Sequence, residues 1–203
     1  MNRLIDGYRR FREEIWPAQR DRFMALAEQG QRPETMLIAC SDSRVDPQMI
    51  FSAAPGELFV VRNVANLVPP YMPDANLHGT SAAVEFGVRV LQVRQLVVMG
   101  HALCGGIRAL LEGVPPAAGD FVAGWIGIAE RARAVALRCD APDAQQQAGE
   151  HEAVRISLAN LMTFPWVAEA VAEGRLTLRG AHFGVATGRL MLLDPATDSF
   201  VPA

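Results

Sequence analysis

Three side chains that bind soft divalent metals follow two short apolar runs of the sequence. Cys40 follows the run 35–39, while His101 and Cys104 follow the run 95–100. Two thiolates and one imidazole suit a tetrahedral zinc ion, and three protein ligands leave a fourth position for water. This donor set therefore favours a catalytic zinc site over a structural one.

The individual motifs also have simpler interpretations. A His-x-x-Cys spacing such as His101 and Cys104 is weak evidence for metal when it stands alone. A free cysteine such as Cys40 is often a small apolar residue at the end of a buried strand. Gly105 and Gly106 allow backbone to lie close to Cys104. The position of the cysteine and histidine side chains after two different strands is what favours a shared metal.

A carboxylate and a guanidinium stand directly after Cys40. Asp42 and Arg44 can form a bidentate, charge-assisted pair that fixes the carboxylate and keeps it ionised. Such a carboxylate can accept a hydrogen bond from a water on the metal. A salt bridge that only stabilises the loop is the alternative interpretation.

The elements that must position these residues alternate between strands and helices. Short β-prone runs at 35–39, 58–62 and 95–100 are separated by helix-sized connections, of which 79–93 carries an apolar stripe. Alternating strands and helices predict an α/β fold with a mainly parallel central sheet flanked by helices. Open parallel sheets bind their ligands at the carboxyl ends of the strands. Cys40, Asp42, His101 and Cys104 all follow such ends.

The two ends of the chain complete this prediction. Apolar residues at helical spacing from Leu4 to Ile15 and a second helical stretch at 20–29 predict an N-terminal helical arm over 1–30. The arm packs either on its own domain or on a second subunit. The runs 176–183 and 189–193 predict a C-terminal hairpin or edge strands. We expect one domain over 1–203, with a zinc-binding α/β core at 35–200.

Further helical stretches are expected at 121–139 and 151–162, the second with a stop near Pro165. Cys139 lies in the first of these stretches and is interpreted as a packing residue. His78, His151 and His182 have no sequence context that marks a proton shuttle, so each is interpreted as a satisfied or exposed histidine.

Composition excludes several classes of function. The chain of 203 residues has a formal net charge of -3 and no lysine, so Schiff-base and P-loop lysine chemistry are excluded and no basic face for nucleic acid is expected. No apolar run is long enough to span a membrane. Three cysteines are too few for a disulfide framework and are better interpreted as metal ligands or nucleophiles of a reducing compartment. We therefore expect a cytoplasmic protein without nucleic-acid or membrane partners.

Two segments then resemble a known family. Cys-Ser-Asp-Ser-Arg-Val at 40–45 and Gly-His-Ala-Leu-Cys-Gly-Gly at 100–106 closely resemble the signature segments of β-class carbonic anhydrases. The resemblance extends through 56–66, 68–71 and 158–165, and is to the open-site, plant-type-like bacterial subgroup. It implies zinc-dependent, reversible hydration of carbon dioxide to bicarbonate and a proton, by attack of a zinc-bound hydroxide.

The same resemblance implies a role for each site residue. It implies one zinc ion per chain, held by Cys40, His101 and Cys104. It also implies an Asp42/Arg44 dyad that orients the zinc-bound water, with Asp42 able to displace that water as a conditional fourth ligand. The family pairs subunits through an N-terminal arm, so a homodimer or a multiple of dimers is implied, with the pocket near the subunit boundary. The substrate pocket is implied to be lined by Gln31, Phe59, Val64 and Gly105.

Two positions depart from family patterns. Phe86 stands where many open-site members carry a tyrosine whose hydroxyl reaches the pocket, so one polar contact to substrate is lost. Leu37 stands where the bicarbonate-regulated subgroup carries a tryptophan, which implies that this chain lacks that regulation.

Two other functions are compatible with the same residues. A hydrolase of carbon disulfide or carbonyl sulfide would use the same zinc hydroxide on the same scaffold. A non-catalytic zinc or redox-sensing module would have Asp42 permanently on the metal and an oxidant-responsive Cys40 or Cys104. The Asp42/Arg44 pair together with Gln31 argues for the enzyme.

Overall fold

A six-stranded sheet forms the centre of the molecule. The computed structural model describes residues 1–74 and 76–203. The strands in chain order are β1 (Thr35–Cys40), β2 (Leu58–Asn63), β3 (Gln95–His101), β4 (Thr177–Phe183), β5 (Leu190–Asp194) and β6 (Ser199–Pro202).

The sheet is mainly parallel, as the sequence predicts. Its strand order is β2-β1-β3-β4-β5-β6, with β2, β1, β3 and β4 mutually parallel and the last two strands antiparallel. The apolar runs in β1 and β3 are almost wholly buried, as expected for parallel strands covered on both faces. The predicted C-terminal hairpin is confirmed, and β6 extends it by a short edge strand that the sequence analysis missed. β6 ends at Pro202, which an edge strand tolerates.

Helices cover the sheet and extend from its N-terminal side. They are α1 (Asn2–Arg10), α2 (Trp16–Gln29), α3 (Pro47–Ile50), α4 (Gly79–Glu85), α5 (Gly105–Glu112), α6 (Val122–Ile126), α7 (Glu130–Ala136), α8 (Pro142–Leu161) and α9 (Pro165–Ala172). Wider π-helical turns join α1 to α2 at Phe11–Ile15 and follow α4 at Phe86–Val90. None of the helices described in 1–74 and 76–203 is long and apolar enough to cross a bilayer.

Two helix boundaries differ from the sequence prediction for the same reason. α8 begins at Pro142 rather than near 151. It ends at Leu161, before Pro165 as the sequence predicts, but Pro165 then begins a further helix, α9, that the sequence analysis did not predict. Proline fits the first turn of a helix because its missing N–H has no intrahelical partner there. Both prolines therefore start helices. The first turns of α8 are polar, so no apolar pattern in the sequence marks where this helix begins.

The predicted N-terminal arm is one nearly continuous helical run through α1 and α2. No residue of this run is buried. Near its C-terminal end Arg22 donates to the carbonyl of Pro55 at 2.6 Å, and Leu26 lies against Gly56. Leu4 is 74% exposed and Tyr8 58% exposed. The apolar stripe of the arm is thus uncovered within one chain.

Helix α8 packs closely on the central strands near the carboxyl end of β3. A Cβ atom at Gly100, the penultimate residue of β3, would lie 2.9 Å from Val154 Cγ2 of α8. Glycine at this position lets the helix approach the strand closely. The approach brings the buried residues of α8 to the end of β3, next to His101.

Candidate metal centre

Three metal-ligating side chains converge at the carboxyl edge of the sheet. Cys40 ends β1 and His101 ends β3, and these strands are hydrogen-bonded neighbours. Cys104 precedes the first residue of α5. The ligand atoms of the three residues lie within 4.8 Å of one another, and all three residues are buried. The prediction that strand ends gather these groups thus agrees with the geometry.

The arrangement of donor atoms fits a tetrahedral metal ion. The two Sγ atoms are 4.0 Å apart, and two thiolates on one zinc at about 2.3 Å and a tetrahedral angle would be about 3.8 Å apart. His101 Nδ1 donates to the carbonyl of Ala102 at 2.9 Å, which leaves Nε2 as the lone-pair nitrogen. That Nε2 is buried and has no hydrogen-bond partner among the described residues. A metal ion is the partner that this nitrogen and two sulfurs share.

Backbone N–H groups surround the two thiols. The hydrogen bond from Cys104 lowers the pKa of Cys40 well below its ordinary value, and the N–H groups of Asp42 and Ala65 act in the same direction. Donation to Cys40, together with burial, raises the pKa of Cys104, although the N–H groups of Ile107 and Gly106 favour its thiolate. The site thus holds one thiolate readily, and a divalent cation would deprotonate both sulfurs.

Asp42 and Arg44 form the bidentate pair expected from the sequence. Arg44 Nε donates to Oδ1 at 2.9 Å and Nη2 donates to Oδ2 at 2.7 Å, while the Arg44 backbone N–H also donates to Oδ1 at 3.0 Å. These bonds hold the pKa of Asp42 well below its usual range. The carboxylate is therefore an ionised acceptor, and it is not one of the three groups of the metal cluster.

Arg62 supports the turn that carries Asp42, a role that sequence reasoning missed. From β2 its guanidinium donates to the carbonyls of Cys40 at 3.0 Å and Asp42 at 2.6 Å, and to the carboxylate of Asp46 at 3.1 Å. An arginine inside an otherwise apolar strand is the signal that could have identified it. Its contacts fix the backbone between the first cysteine and the carboxylate.

Val64 and Gly105 lie beside the metal cluster. A Cβ atom on Gly106 would lie 2.9 Å from Val64 Cγ1, so the start of α5 packs against Val64. Trp125 Nε1 donates to the Val64 carbonyl at 2.7 Å and fixes that turn. A Cβ on Gly105 would meet nothing within 4 Å, which leaves open space there. These two predicted pocket residues thus border the site within one chain.

Gln31 and Phe59 are not brought to the metal cluster by their own chain. Phe59 pairs with Met36 in the register that pairs Cys40 with Asn63, so it lies four residues back along β2, about 13 Å at the usual strand rise. Gln31 precedes the first residue of β1, so it too lies at the amino ends of the strands. Within one chain, these two residues therefore lie away from the metal cluster.

The two positions that depart from family patterns have clear packing roles. Phe86 stacks near Phe59, with ring centroids 5.8 Å apart, and is 43% exposed. Leu37 is 2% exposed inside β1, between Val60 and Val97 of the neighbouring strands. Phe86 therefore lies beside Phe59, away from the metal cluster of its own chain, while Leu37 belongs to the core.

The fold and the site together define a class of protein. A mainly parallel sheet whose carboxyl edge carries two cysteines, one histidine and a fixed carboxylate is built for metal-dependent chemistry. The profile of the family described as carbonic anhydrase matches residues 35–190.

Individual relatives agree with that match. A carbonic anhydrase of Pseudomonas aeruginosa is 42% identical over 208 residues, covering 99% of this chain and 91% of that protein. The β-carbonic anhydrase CcaA superimposes with a TM-score of 0.91 at 32% identity, covering 100% of this chain and 92% of the other. A tetrameric β-carbonic anhydrase from Sordaria macrospora does so with a TM-score of 0.75 at 28% identity, covering 95% and 92%. The chain belongs to the carbonic anhydrase family, in its β class, and is thus an enzyme that interconverts carbon dioxide and bicarbonate.

Proposed function

We propose that this enzyme hydrates carbon dioxide reversibly with one zinc ion per chain, held by Cys40, His101 and Cys104. The observation that carries the proposal is the convergence of two sulfurs and an unpartnered His101 Nε2 within 4.8 Å. Zinc bound by three protein ligands would lower the pKa of a bound water to about 7, which would supply a hydroxide nucleophile at neutral pH. The choice of zinc rests on the donor types, since two thiolates and one imidazole suit it best.

Asp42 and Arg44 orient the nucleophile in this proposal. A carboxylate held at both oxygens by Arg44 stays ionised and can only accept hydrogen bonds, so it fixes the direction of the attacking water. The same carboxylate, once released from Arg44, is free to take the fourth position on the metal. Arg44 thus separates an active arrangement from an inhibited one. The two short bonds and the lowered pKa of Asp42 support this role.

Substrate binds, we propose, between residues of two chains. Val64 and Gly105 border the site from the same chain, while Gln31 and Phe59 are supplied by a second copy. Gln31 would donate a hydrogen bond to bicarbonate, and Phe59 with Val64 would form an apolar surface for carbon dioxide. Phe86 beside Phe59 offers no hydroxyl, so it adds apolar surface only. Leu37 is buried in the core where the bicarbonate-regulated subgroup carries a tryptophan, so we infer that this chain lacks regulation by bicarbonate.

The subunits pair as a homodimer or a multiple of dimers. Support comes from the uncovered apolar stripe of α1 and α2 and from the distance of Gln31 and Phe59 from their own metal cluster. The Sordaria macrospora relative is tetrameric. We propose the arm 1–30 as the pairing element of one domain whose zinc-binding core is 35–200.

We also propose a cytoplasmic location. Cys40, Cys104 and Cys139 are all free thiols in the structure. Thiols that serve as metal ligands stay reduced in a cytoplasmic compartment.

The experiment compares substrates on one zinc-loaded preparation. Carbon dioxide hydration is followed by stopped flow, and hydrolysis of carbonyl sulfide and carbon disulfide by release of sulfide. We expect kcat/KM for carbon dioxide to exceed the other two by orders of magnitude. Faster sulfide release would favour the sulfur-substrate hydrolase, and bound zinc with no turnover of any of the three would favour a non-catalytic module.

A further inference from the structure

The peptide group between Leu103 and Cys104 is held at both of its polar atoms. Arg44 Nη2 donates to the Leu103 carbonyl at 3.1 Å, and the Cys104 N–H donates to Glu150 Oε1 at 3.0 Å. Leu103 itself has a φ of 60°, a left-handed conformation that a leucine rarely adopts. A residue keeps such a strained backbone conformation only when surrounding contacts hold it in place. The two hydrogen bonds fix the plane of the peptide that presents Cys104.

Glu150 is an unusual residue for the middle of a core helix. It lies in α8 and is 3% exposed. Its carboxylate accepts from the Cys104 N–H, from Gln146 Nε2 at 2.7 Å, and is 3.0 Å from His182 Nε2 of β4. Burying a carboxylate costs several kcal/mol unless such partners are present, and an apolar residue would stabilise the core as well or better. The placement of Glu150 therefore points to a role beyond stability.

Gln146 extends the grip on the same residue. Its Nε2 donates to the Cys104 carbonyl at 3.0 Å as well as to Glu150. One helix thus contacts both backbone polar atoms of Cys104. His182 is 3% exposed and closes the network from the neighbouring strand. The network is complete at Glu150, since three donors surround its two oxygens.

We propose that Glu150, held by His182 and Gln146, is a positioning residue for the metal ligand Cys104. It fixes the Leu103–Cys104 peptide so that the Cys104 sulfur faces the other two ligands. Because the carbonyl of that peptide also accepts from Arg44, the same contact keeps the Asp42/Arg44 pair in place. Loosening Glu150 would weaken metal binding and free Arg44 together. This inference rests on the proposed zinc site at Cys40, His101 and Cys104.

The test measures zinc affinity rather than activity alone. Glu150→Gln and Glu150→Ala are compared with Glu152→Gln, which makes the same chemical change on the same helix but pairs with Arg155 and Arg131 instead. Competition with a chromophoric chelator gives the zinc Kd, and the cobalt-substituted proteins give the thiolate-to-cobalt charge-transfer band. We expect the Glu150 variants to bind zinc about 10- to 100-fold more weakly and to shift that band, with Glu152→Gln within about twofold of wild type.

A second pair of variants guards against loss of folding. His182→Gln keeps a donor to Glu150, whereas His182→Leu removes it, so zinc affinity should be better retained in the glutamine variant. Circular dichroism verifies that each variant is folded. Folded Glu150 and His182 variants with wild-type zinc affinity and cobalt spectrum would overturn the inference alone. A wild-type chain that binds no zinc would overturn the proposed function as well.

Discussion

Arg44 is the residue at which three contacts of the site meet. Its guanidinium donates to both oxygens of Asp42 and to the carbonyl of Leu103. It carries no ligand atom for a metal, so its contribution is orientation. A lysine at this position would keep the charge but could not reproduce the planar, bidentate pair.

Arg44→Ala should therefore lose hydration activity while it keeps the metal. We expect kcat/KM to fall by at least about 100-fold, the lower range for loss of a positioned proton-transfer group, with Arg44→Lys intermediate. Stopped-flow hydration and metal analysis on the same samples measure both quantities. Full turnover by zinc-loaded Arg44→Ala would show that the dyad role is wrong.

His151 makes stability depend on pH. Burial, and then the charges of His182 and Arg155, lower its pKa to about 4, while Glu150 acts in the opposite direction. An unfolded histidine titrates near 6.5, so between about pH 6.5 and 4 this side chain binds more protons in the unfolded chain than in the native one. The stability that neutral His151 contributes is complete above about pH 6.5 and is lost as pH falls towards 4. After allowance for partial solvent screening, roughly 2 kcal/mol is at stake.

Urea unfolding at pH 4.5, 6 and 8 measures this contribution. His151→Phe is the matched variant, because the ring already stacks on Phe200 at 4.0 Å and its Nε2 has no partner among the described residues. We expect the variant to lose part of the acid destabilisation seen in the wild type. Identical pH dependence in the two proteins would contradict the lowered pKa of His151.

Local sequence identified the residues of the site that lie next to each other. Cys40, Asp42 and Arg44 fall within five positions, and His101 and Cys104 within four. Glu150 could not be found this way, because it lies 46 residues from the N–H that it binds. Its significance comes from burial and from its partners, which only the folded chain brings together.

At the scale of elements, the start of α5 packs closely against the turn that follows β2. A Cβ on Gly106 would lie 2.9 Å from both Val64 Cγ1 and Ala65 Cβ, whereas one on Gly105 would meet nothing within 4 Å. Ala65 has a φ of 65°, so its turn is already in a sparsely populated conformation. The turn thus has little freedom to move away from an added methyl group.

Gly106→Ala and Gly105→Ala should separate packing from helix propensity. We expect Gly106→Ala to lower the free energy of unfolding by about 1–3 kcal/mol through overpacking. Gly105→Ala should be neutral or slightly stabilising, because alanine favours a helix over glycine. Urea unfolding of the two variants at one pH measures the difference. Equal stabilities would contradict the close approach of α5 to Val64.

The sequence predicted the elements with strong apolar patterns and missed those that tertiary contacts define. β1 and β3 are continuous apolar runs, so their burial and parallel pairing followed directly. The first turns of α8 are polar, so only its second half was predicted, and α9 is too short to show an apolar stripe. Both are positioned by prolines at their first turns and by packing on the sheet.

At the scale of the whole molecule, one chain brings the three groups of the metal cluster together, while two of the proposed pocket residues lie away from it. The cluster is assembled by β1, β3 and the start of α5. Phe59 lies near the amino end of β2 and Gln31 precedes β1, whereas the cluster lies at the carboxyl ends of the strands. The family resemblance predicted the pocket residues, but composition and spacing could not indicate which chain supplies them.

Charges on the apolar stripe of the arm should therefore dissociate subunits and reduce activity together. Leu4→Asp combined with Tyr8→Asp is compared with Arg10→Ala, which changes the polar side of the same helix. We expect the first variant to sediment as a smaller species with strongly reduced hydration activity, because the pocket loses the residues of the second copy. A fully active monomer in analytical ultracentrifugation would contradict the shared pocket.

Zinc titration tests the central claim most directly. Protein stripped with a chelator is titrated with zinc while stopped flow records carbon dioxide hydration from about pH 6.5 to 9. We predict negligible activity before addition and a linear rise that saturates at one zinc per chain. Rates should increase towards alkaline pH, because thiolate ligands would make a zinc-bound water less acidic than imidazole ligands would. Full hydration activity in the zinc-free protein, or stoichiometric zinc binding without hydration at any pH, would contradict the account.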